Sequence, residues 1–179
     1  LALAVTQLLV PKQFALLVPG GASHRPDKRW PTAQYAALAT TLVTLGISPV
    51  LIGTSAESAE ISAIAEAVPR SRNLLGKTSF GQIVALARRA TVAIGNDTGP
   101  MHLIAAADCP AVVLFSQASV PAQTQPRGAA VTVIQRGELE ALLEDSSDRR
   151  YQNNAINLTA VSLRSTNHAA TMLQDFLHE

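Results

Sequence analysis

The stretch that decides the fold is Gly95-Asn96-Asp97-Thr98-Gly99-Pro100-Met101-His102. A short apolar run, residues 90–94, comes directly before it, and a helical pattern over residues 103–107 follows it. This order predicts a buried strand, a tight turn and the start of a helix. The N-terminus of a helix presents unpaired backbone N–H groups and the positive end of the helix dipole. We therefore expect an anion-binding site here, with a phosphorylated ligand as the anion.

Similar apolar runs recur along the chain and alternate with helical patterns. Because these runs have no alternating polar positions, they suit parallel strands that are buried on both faces. The chain is therefore predicted to be an α/β protein with an open parallel sheet, flanked by helices in a Rossmann-like arrangement. In such sheets, ligands bind at the carboxyl ends of the strands. The predicted strands cover residues 14–18, 49–53, 91–94, 111–115 and 131–134; the predicted helices begin at Pro31 (ending at Gly46), near Ile61, at Ser79, at Gly99 and near Ala169; residues 136–157 are predicted to be mostly loop.

Composition narrows the class of protein. The chain has 179 residues, of which 47% are apolar and 15% charged, and this fits a globular domain with a sizeable core. A net charge of +1 and an aromatic content of 4% argue against a nucleic-acid-binding protein. The single cysteine, Cys109, cannot form an internal disulfide, and we expect it to be a small buried side chain.

The N-terminal segment is apolar, but it is too short to cross a bilayer and lacks the basic residues of a signal peptide. We interpret residues 1–13 as a linker from a missing N-terminal domain. Residues 14–179 are then predicted to form one Rossmann-like domain.

Two interpretations compete for residues 95–102. In the first, Thr98 and the backbone amides from Gly99 onward cradle a phosphate, and His102 leans back toward the same anion from one turn into the helix. In the second, Asp97 or Thr98 is only the N-cap of the helix, and His102 is a half-buried polar residue. The flanking glycines let a ligand approach the backbone, which favours the binding interpretation.

Two other loops at the same sheet edge carry charged candidates. Within residues 24–30, Lys28 or Arg29 can neutralise a phosphate; alternatively, this is a solvated charged loop in which Trp30 packs against the next helix. Glu57 follows the second predicted strand, where a ribose-binding acid often stands in nucleotide-binding folds. Alternatively, Glu57 is a favourable acid in the first turn of a helix.

Other kinds of site are not predicted. Residues 76–79 resemble the end of a phosphate-binding P-loop, but that pattern needs a glycine where Ser71 stands, and no buried strand is predicted before it. The sequence contains no histidine or cysteine pair with metal-ligand spacing and no evident catalytic triad. We therefore expect neither a metal ion nor a cofactor.

Taken in order, five segments of the chain resemble the C-terminal half of the family 9 glycosyltransferases, which include the heptosyltransferases of lipopolysaccharide core synthesis. The resemblance covers about residues 12–135, and the spacing of its second and fifth segments is specific. The segments are Pro19-Gly20-Gly21, then Lys28-Arg29-Trp30-Pro31, then Ile52-Gly53 with Glu57, then Asn73-Leu74-Leu75-Gly76-Lys77-Thr78-Ser79, and finally residues 95–102.

The resemblance implies the C-terminal half of a GT-B fold, in which two Rossmann-like domains face each other and the C-terminal one holds a sugar-nucleotide donor. It implies metal-independent, inverting transfer of heptose from ADP-heptose, with a general base in the N-terminal domain. No residue of this chain is therefore assigned as catalytic, although Lys28 and Asp97 are candidates for contacts to the leaving group or the sugar. The predicted donor-binding residues are Lys28, Arg29, Glu57 (on the ribose), Thr78 (beside the adenine), Asp97, Thr98, Gly99 and His102.

One segment departs from the family pattern at the predicted edge. The strand ending at Phe115 is usually followed by a Gly-Pro-Thr-like turn in this family, whereas this chain has Ser116-Gln117-Ala118. Because that turn borders the donor site, it bears on which donor is bound.

Two alternative functions stay open: a non-catalytic sugar-nucleotide-binding module, and a GT-B-shaped sugar-nucleotide epimerase. The partners implied by the resemblance are a nucleotide-sugar donor and, through the N-terminal domain, a lipid A or core saccharide acceptor, with no nucleic acid. We expect a cytoplasmic protein, with peripheral association of the full-length enzyme with the inner membrane as an option.

Overall fold

A computed structural model gives the fold for residues 8–21, 29–116 and 119–135. The strands are β1 (Phe14–Val18), β2 (Ser48–Leu51), β3 (Arg72–Asn73), β4 (Val92–Asn96), β5 (Ala111–Phe115) and β6 (Val131–Gln135). They form one sheet in the order β3-β2-β1-β4-β5-β6, and every pairing is parallel. The predicted α/β class and open parallel sheet are confirmed. The helix near Ala169 and the loop at residues 136–157 lie outside the described residues.

Helices cover both faces of this sheet. They are α1 (Thr32–Thr44), α2 (Ser58–Ala67), α3 (Phe80–Ala87), α4 (Gly99–Ala106) and α5 (Pro121–Thr124), with one 3-10 turn (Ser55–Glu57) before α2. Successive side chains of a strand point to opposite faces. Accordingly, Leu16 of β1 packs in one core cluster with residues of α3 and α4, whereas Leu17 packs in a second cluster with residues of α1 and α2.

Several helices begin or end close to the proline, glycine and capping residues that predict their boundaries. The first helix begins one residue later than predicted, since Pro31 is its N-cap rather than its first residue. Gly46 follows the end of α1 with a φ of 74°, a left-handed conformation that glycine adopts without strain. The predicted capping box at the start of α3 is confirmed, because the Ser79 side chain and the Gln82 side chain each bind the other residue's backbone N–H.

Three features were missed by the prediction. β4 continues to Asn96, two residues past its predicted end, because these residues still pair with the neighbouring strands. β3 consists of two half-buried polar residues, Arg72 and Asn73, and has no apolar signature. It nevertheless extends the sheet beside β2, so the residues before Gly76 do enter a short strand. α5 is a single turn, too short to show periodicity.

The strand order places the reversal of chain direction between β1 and β4. From β1 the chain moves outward to β2 and β3, and then returns to add β4, β5 and β6 on the other side. In doubly wound sheets the loops diverge at such a switch point and leave a crevice outside the carboxyl ends of the strands. The loops after β1, β2 and β4 therefore meet at the predicted edge.

Within residues 8–21, 29–116 and 119–135, no helix combines the length and apolar character that a membrane crossing requires.

Candidate functional site

Backbone hydrogen bonds connect the loops at the carboxyl edge of the sheet. The Gly76 amide, in the turn after β3, donates to the Gly53 carbonyl after β2 at 2.9 Å. The Ile52 amide donates to the Leu17 carbonyl of β1 at 3.1 Å, and the Asp97 amide, just after β4, donates to the Leu114 carbonyl of β5 at 3.2 Å. The loops that carry the predicted residues are thus extensions of neighbouring strands.

Glu57 lies over the ends of β1 and β2. Its Oε2 accepts from the Thr54 amide at 2.8 Å and from the Thr54 hydroxyl at 2.7 Å, which forms a capping box around the 3-10 turn. A Cβ added to Gly20 would lie 2.8 Å from Glu57 Cγ, and one added to Gly53 would lie 3.3 Å from Glu57 Oε2. Gly20 therefore makes room for the Glu57 side chain, whereas a Cβ at Gly53 would first meet Ile61 Cδ1, at 2.5 Å. One oxygen of the carboxylate is held by Thr54.

The start of α4 keeps a buried hydroxyl without a partner. Thr98 is the N-cap residue, with φ −146° and ψ 159°, but its side chain makes no capping hydrogen bond. The Thr98 Oγ1 is shielded from solvent and has no hydrogen-bond partner among residues 8–21, 29–116 and 119–135. Buried polar atoms are rarely left unsatisfied in native proteins, and an unmatched one marks a place where a ligand can supply the bond. The simple N-cap interpretation of Thr98 does not account for this geometry.

Asp97 stands beside this helix start and reaches toward α5. It is half-buried, and its Oδ2 accepts a hydrogen bond from the Thr124 hydroxyl at 3.3 Å. The short helix α5, which the sequence did not predict, therefore borders the predicted site on the β5 side. His102, one turn into α4, is exposed, and so is Gly99 at the first position of that helix.

Arg29 is committed to protein groups. One terminal nitrogen forms an ion pair with Glu60 of α2, and the other donates to the Gly21 carbonyl at 2.7 Å. The side chains of Arg29 and Glu60 are only 15% and 25% exposed. Arg29 thus connects Gly21, which lies after β1, to Glu60 of α2. Lys28 lies outside the described residues.

Thr78 lies in the turn between β3 and α3, half-buried at the same edge of the sheet. The turn begins at Gly76, whose φ of 65° is left-handed, and it ends at Ser79, the N-cap of α3. Gly76 to Ser79 therefore connect a short strand to a capped helix.

Asn96, the last residue of β4, was part of the quoted stretch but was given no role by the sequence analysis. It is 1% exposed. Its Nδ2 donates to the carbonyls of Pro19 and Gly20 at 2.8 and 2.9 Å. Its Oδ1 accepts from the Trp30 amide at 3.0 Å and from the Tyr35 hydroxyl at 3.1 Å. The available signal was a polar residue at the end of an otherwise apolar strand.

Two aromatic residues complete this junction. The rings of Trp30 and Tyr35 meet edge to face, with centroids 4.9 Å apart and an interplanar angle of 77°. Tyr35 is fully buried, and burial raises the pKa of its phenol, so the hydroxyl stays protonated and acts as a donor. The expectation that Trp30 packs against the helix after it is confirmed.

Ser116 and Ser119, which follow β5, belong to a small polar cluster with Gln135. The hydroxyls of Ser116 and Ser119, both buried, are 3.1 Å apart, and the Gln135 side chain of β6 donates to the Ser119 carbonyl at 3.0 Å. The cluster lies at the ends of β5 and β6, beside the strand that carries Asp97. Cys109, by contrast, is buried in the core at the opposite end of β5, as expected.

Comparisons with known proteins agree with this picture. The family described as Glycosyltransferase family 9 (heptosyltransferase) matches residues 2–154. Lipooligosaccharide heptosyltransferase 2 of Haemophilus influenzae is 33% identical over 146 residues, which are 78% of this chain and 42% of that protein. Lipopolysaccharide heptosyltransferase 2 of Salmonella typhimurium is 36% identical over 119 residues, or 64% of this chain and 34% of that protein. The chain spans less than half the length of these relatives.

Solved structures give the same result for the fold. The structure of E. coli ADP-heptose lps heptosyltransferase II superposes with a TM-score of 0.71 at 28% identity, covering 92% of this chain and 51% of that one. The E. coli heptosyltransferase WaaC with ADP gives a TM-score of 0.60 at 26% identity, covering 68% and 37%. The predicted fold class and the resemblance noted from the sequence are both confirmed.

Proposed function

The chain belongs to glycosyltransferase family 9, and from that premise we propose that it binds the nucleotide-sugar donor for a heptosyl transfer. The observation that carries the proposal is the pair of groups on the two sides of the switch point. On one side Glu57 lies over the ends of β1 and β2, and on the other α4 begins with a buried, unpartnered Thr98 hydroxyl. A carboxylate suits the hydroxyls of a ribose and a helix N-terminus suits phosphates, so the two groups together support a nucleoside diphosphate as the ligand.

The chemistry follows from the charge that develops during transfer. When the bond from the sugar to the diphosphate breaks, the leaving group gains negative charge. The N-terminus of α4 supplies positive potential for that charge. Pro100 has no N–H and the Met101 amide donates to the Thr98 carbonyl, so the Gly99 amide is the backbone donor proposed for the diphosphate, and the Thr98 hydroxyl can donate one more hydrogen bond. Lys28 is the cation that the sequence predicts for the same task. These groups offer a route that needs no metal ion.

Asp97 is assigned to the sugar. A carboxylate repels a diphosphate, whereas it accepts hydrogen bonds from sugar hydroxyls. Asp97 is within hydrogen-bond distance of the Thr124 hydroxyl, so its Oδ2 faces a hydroxyl donor. In the complex, a hydroxyl of the transferred sugar would take a comparable position. Thr78 would lie beside the adenine and Glu57 on the ribose.

The donor is proposed to be ADP-heptose, in keeping with the name of the E. coli structure of similar fold. The acceptor is proposed to be a lipopolysaccharide-type saccharide, held by residues outside this chain. The general base that takes the proton of the acceptor hydroxyl would also lie outside it. Attack from the face opposite the diphosphate would invert the anomeric carbon.

Calorimetric titration of the 179-residue chain with ADP, ADP-heptose and UDP tests the donor site. The two adenine nucleotides should bind and UDP should bind about tenfold more weakly, a difference of about 1.4 kcal/mol. Glu57→Ala should lose most of the ADP affinity. Glu66→Ala, an exposed acid on α2, is the matched control and should bind as the parent does. A folded chain that gives no heat with any of the three would refute the proposal.

A second pair of variants tests the sugar assignment. Asp97 and Asp108 stand just outside the two ends of α4, and the exposed Asp108 adopts a left-handed φ of 59° that asparagine tolerates. Asp97→Asn should weaken ADP-heptose more than ADP, whereas Asp108→Asn should change neither. Equal losses of affinity for ADP and ADP-heptose in Asp97→Asn would refute a contact between Asp97 and the sugar. In the full-length enzyme, donor binding without transfer would point to a binding module, and an isomerised donor would point to an epimerase.

A further inference from the structure

Asn96 uses the whole hydrogen-bonding capacity of its side chain within the protein. A primary amide offers two donors and one oxygen with two lone pairs. In Asn96 both donors go to carbonyl oxygens, and the oxygen receives one backbone amide and one hydroxyl. The orientation of the amide is determined by these partners, since the carbonyls of Pro19 and Gly20 can only accept. Asn96 is 1% exposed, and with all these hydrogen bonds made inside the protein it has none left for a ligand.

The four partners belong to two separate segments of the chain, one directly after β1 and one at the start of α1. Pro19 and Gly20 continue β1, and they are 77 and 76 residues away from Asn96 in the chain. Trp30 comes just before α1 and Tyr35 lies within it, 66 and 61 residues away. A single side chain on β4 therefore holds both ends of the loop that leaves β1, directly at the switch point.

Through Gly20, this connection reaches Glu57. A methyl group at Gly20 would lie 2.8 Å from Glu57 Cγ and 3.0 Å from its Cδ, so the glycine backbone is the surface on which the carboxylate rests. In the other direction, Asn96 is joined by the chain to Asp97 and Thr98 at the start of α4. One buried amide is thus connected to both ends of the proposed donor site, by a hydrogen bond to Gly20 and through the chain to Thr98.

We propose that Asn96 is a positioning residue that keeps the Glu57 end and the α4 end of the donor site in one fixed arrangement, acting through its hydrogen bonds to Gly20 and Trp30. The inference rests on the proposed function, since it concerns how that nucleotide site is held. Only an amide meets the requirement. An ionised aspartate of the same shape cannot donate to two carbonyls, and leucine would remove the partner of the Trp30 amide and of the Pro19 and Gly20 carbonyls, leaving the Tyr35 hydroxyl only the Val18 carbonyl at 3.3 Å.

The variant Asn96→Asp tests this most directly, since it changes one atom and keeps the acceptor for Trp30 and Tyr35. ADP affinity of the folded variant should fall by about tenfold or more, because two buried carbonyls lose their donors and release the loop end. The single tryptophan of the chain gives a readout that needs no ligand. Emission from Trp30 should change in Asn96→Asp, because the backbone of that residue is one of the four partners.

Ile134→Ala serves as the control for general destabilisation. Ile134 is 4% exposed in β6, two strands away from β4. At a temperature where circular dichroism shows both variants to be folded, Ile134→Ala should keep the parent ADP affinity and Trp30 emission. If Asn96→Asp does not fold, Gly20→Ala tests the last step of the argument, the contact between Gly20 and Glu57, with the amide intact, and unchanged ADP affinity in that variant would overturn the proposal. Its methyl group would push Glu57 away and should lower ADP affinity to a similar extent.

A double-mutant cycle separates positioning from simple loss of stability. If Asn96 supports ADP binding by fixing the position of Glu57, the loss of ADP affinity caused by Asn96→Asp should be much smaller in a Glu57→Ala background. Additive losses of affinity would overturn the proposal. An Asn96→Asp chain that binds ADP within twofold of the parent would overturn it as well. Neither result would contradict the donor-binding function. A parent chain that binds no nucleotide would overturn the proposed function and, with it, the role of Asn96.

Discussion

Gly95 is the position where the packing of the switch point can be tested with one methyl group. A Cβ added there would lie 2.6 Å from Met101 Sδ and 2.7 Å from Val18 Cβ. Carbon atoms pack at about 3.5–4.0 Å, so the new methyl group is roughly 1 Å too close to its neighbours. Met101 could rotate only within a filled core, where it is fully buried. Val18 is the register partner of Gly95 on β1, so its Cβ is fixed by the sheet itself.

Relief therefore requires β1 and β4 to separate locally, or α4 to shift away from β4. Overpacking of this kind costs about 1–3 kcal/mol of the free energy of unfolding. For a domain of this size, each kcal/mol corresponds to about 2–4 °C in the melting temperature. We expect Gly95→Ala to melt several degrees below the parent in a thermal scan followed by circular dichroism at 222 nm.

Gly81→Ala is the matched control, with the same chemical change and the opposite expected sign. Gly81 is exposed within α3, its φ is not left-handed, and nothing lies within 4 Å of an added Cβ. Alanine should therefore stabilise the helix by about 0.5–1 kcal/mol. The reasoning fails if Gly95→Ala unfolds at the parent temperature, or if Gly81→Ala loses as much stability as Gly95→Ala.

Further outcomes follow from particular contacts and from the burial of Cys109. Arg29→Ala and Glu60→Ala should show a coupling of about 1 kcal/mol in a double-mutant cycle of urea unfolding, since their ion pair is largely buried; additive effects would mean that Arg29 does not brace the loop. Burial raises the pKa of Cys109 to about 12, so the native thiol should resist a disulfide reagent that modifies one thiol per chain in denaturant. Because the unfolded thiol loses its proton near pH 9 and the folded one near pH 12, this residue should lower stability as pH rises between those values, and Cys109→Ala should remove that slope. Ser79→Ala should cost about 1 kcal/mol of unfolding free energy through its lost cap, whereas Thr98→Ala, which loses no capping bond, should instead weaken ADP in calorimetry.

The parts of the fold that could be predicted from sequence have a strong local cause. β1 and β5 were placed with their observed bounds, because each is a run of five apolar residues and all five are buried. Gly46 and the Ser79 capping box mark helix ends through conformational preferences that act within a few residues. β3 could not be predicted in this way, because its pairing with β2 comes from the end of the sheet and not from its own two residues.

The same distinction between local and distant causes applies to the candidate site. The start of α4 was predicted because strand, turn and helix are adjacent in the chain. Glu57 was placed by its position after a strand, but its two interpretations could not be separated from sequence. The structure shows the carboxylate capping the 3-10 turn and lying over Gly20, and its contact to a ribose stays a proposal. For Arg29 the sequence showed a charge but not the partner, and Glu60 is 31 residues away in the chain.

Asn96 shows most clearly why the site has to be understood in three dimensions. Gly95 and Asn96 are successive residues of one strand, so they face opposite sides of the sheet. Gly95 lacks a side chain, and Met101 of α4 packs into that space. Asn96 faces the other side and binds Trp30 and the α1 residue Tyr35. The order of these two residues therefore sets α4 and α1 at their correct distances on the two faces. Exchanging them would bury an amide under α4 and leave the loop after β1 without its anchor, although the composition, the turn and the helix signal would all be unchanged.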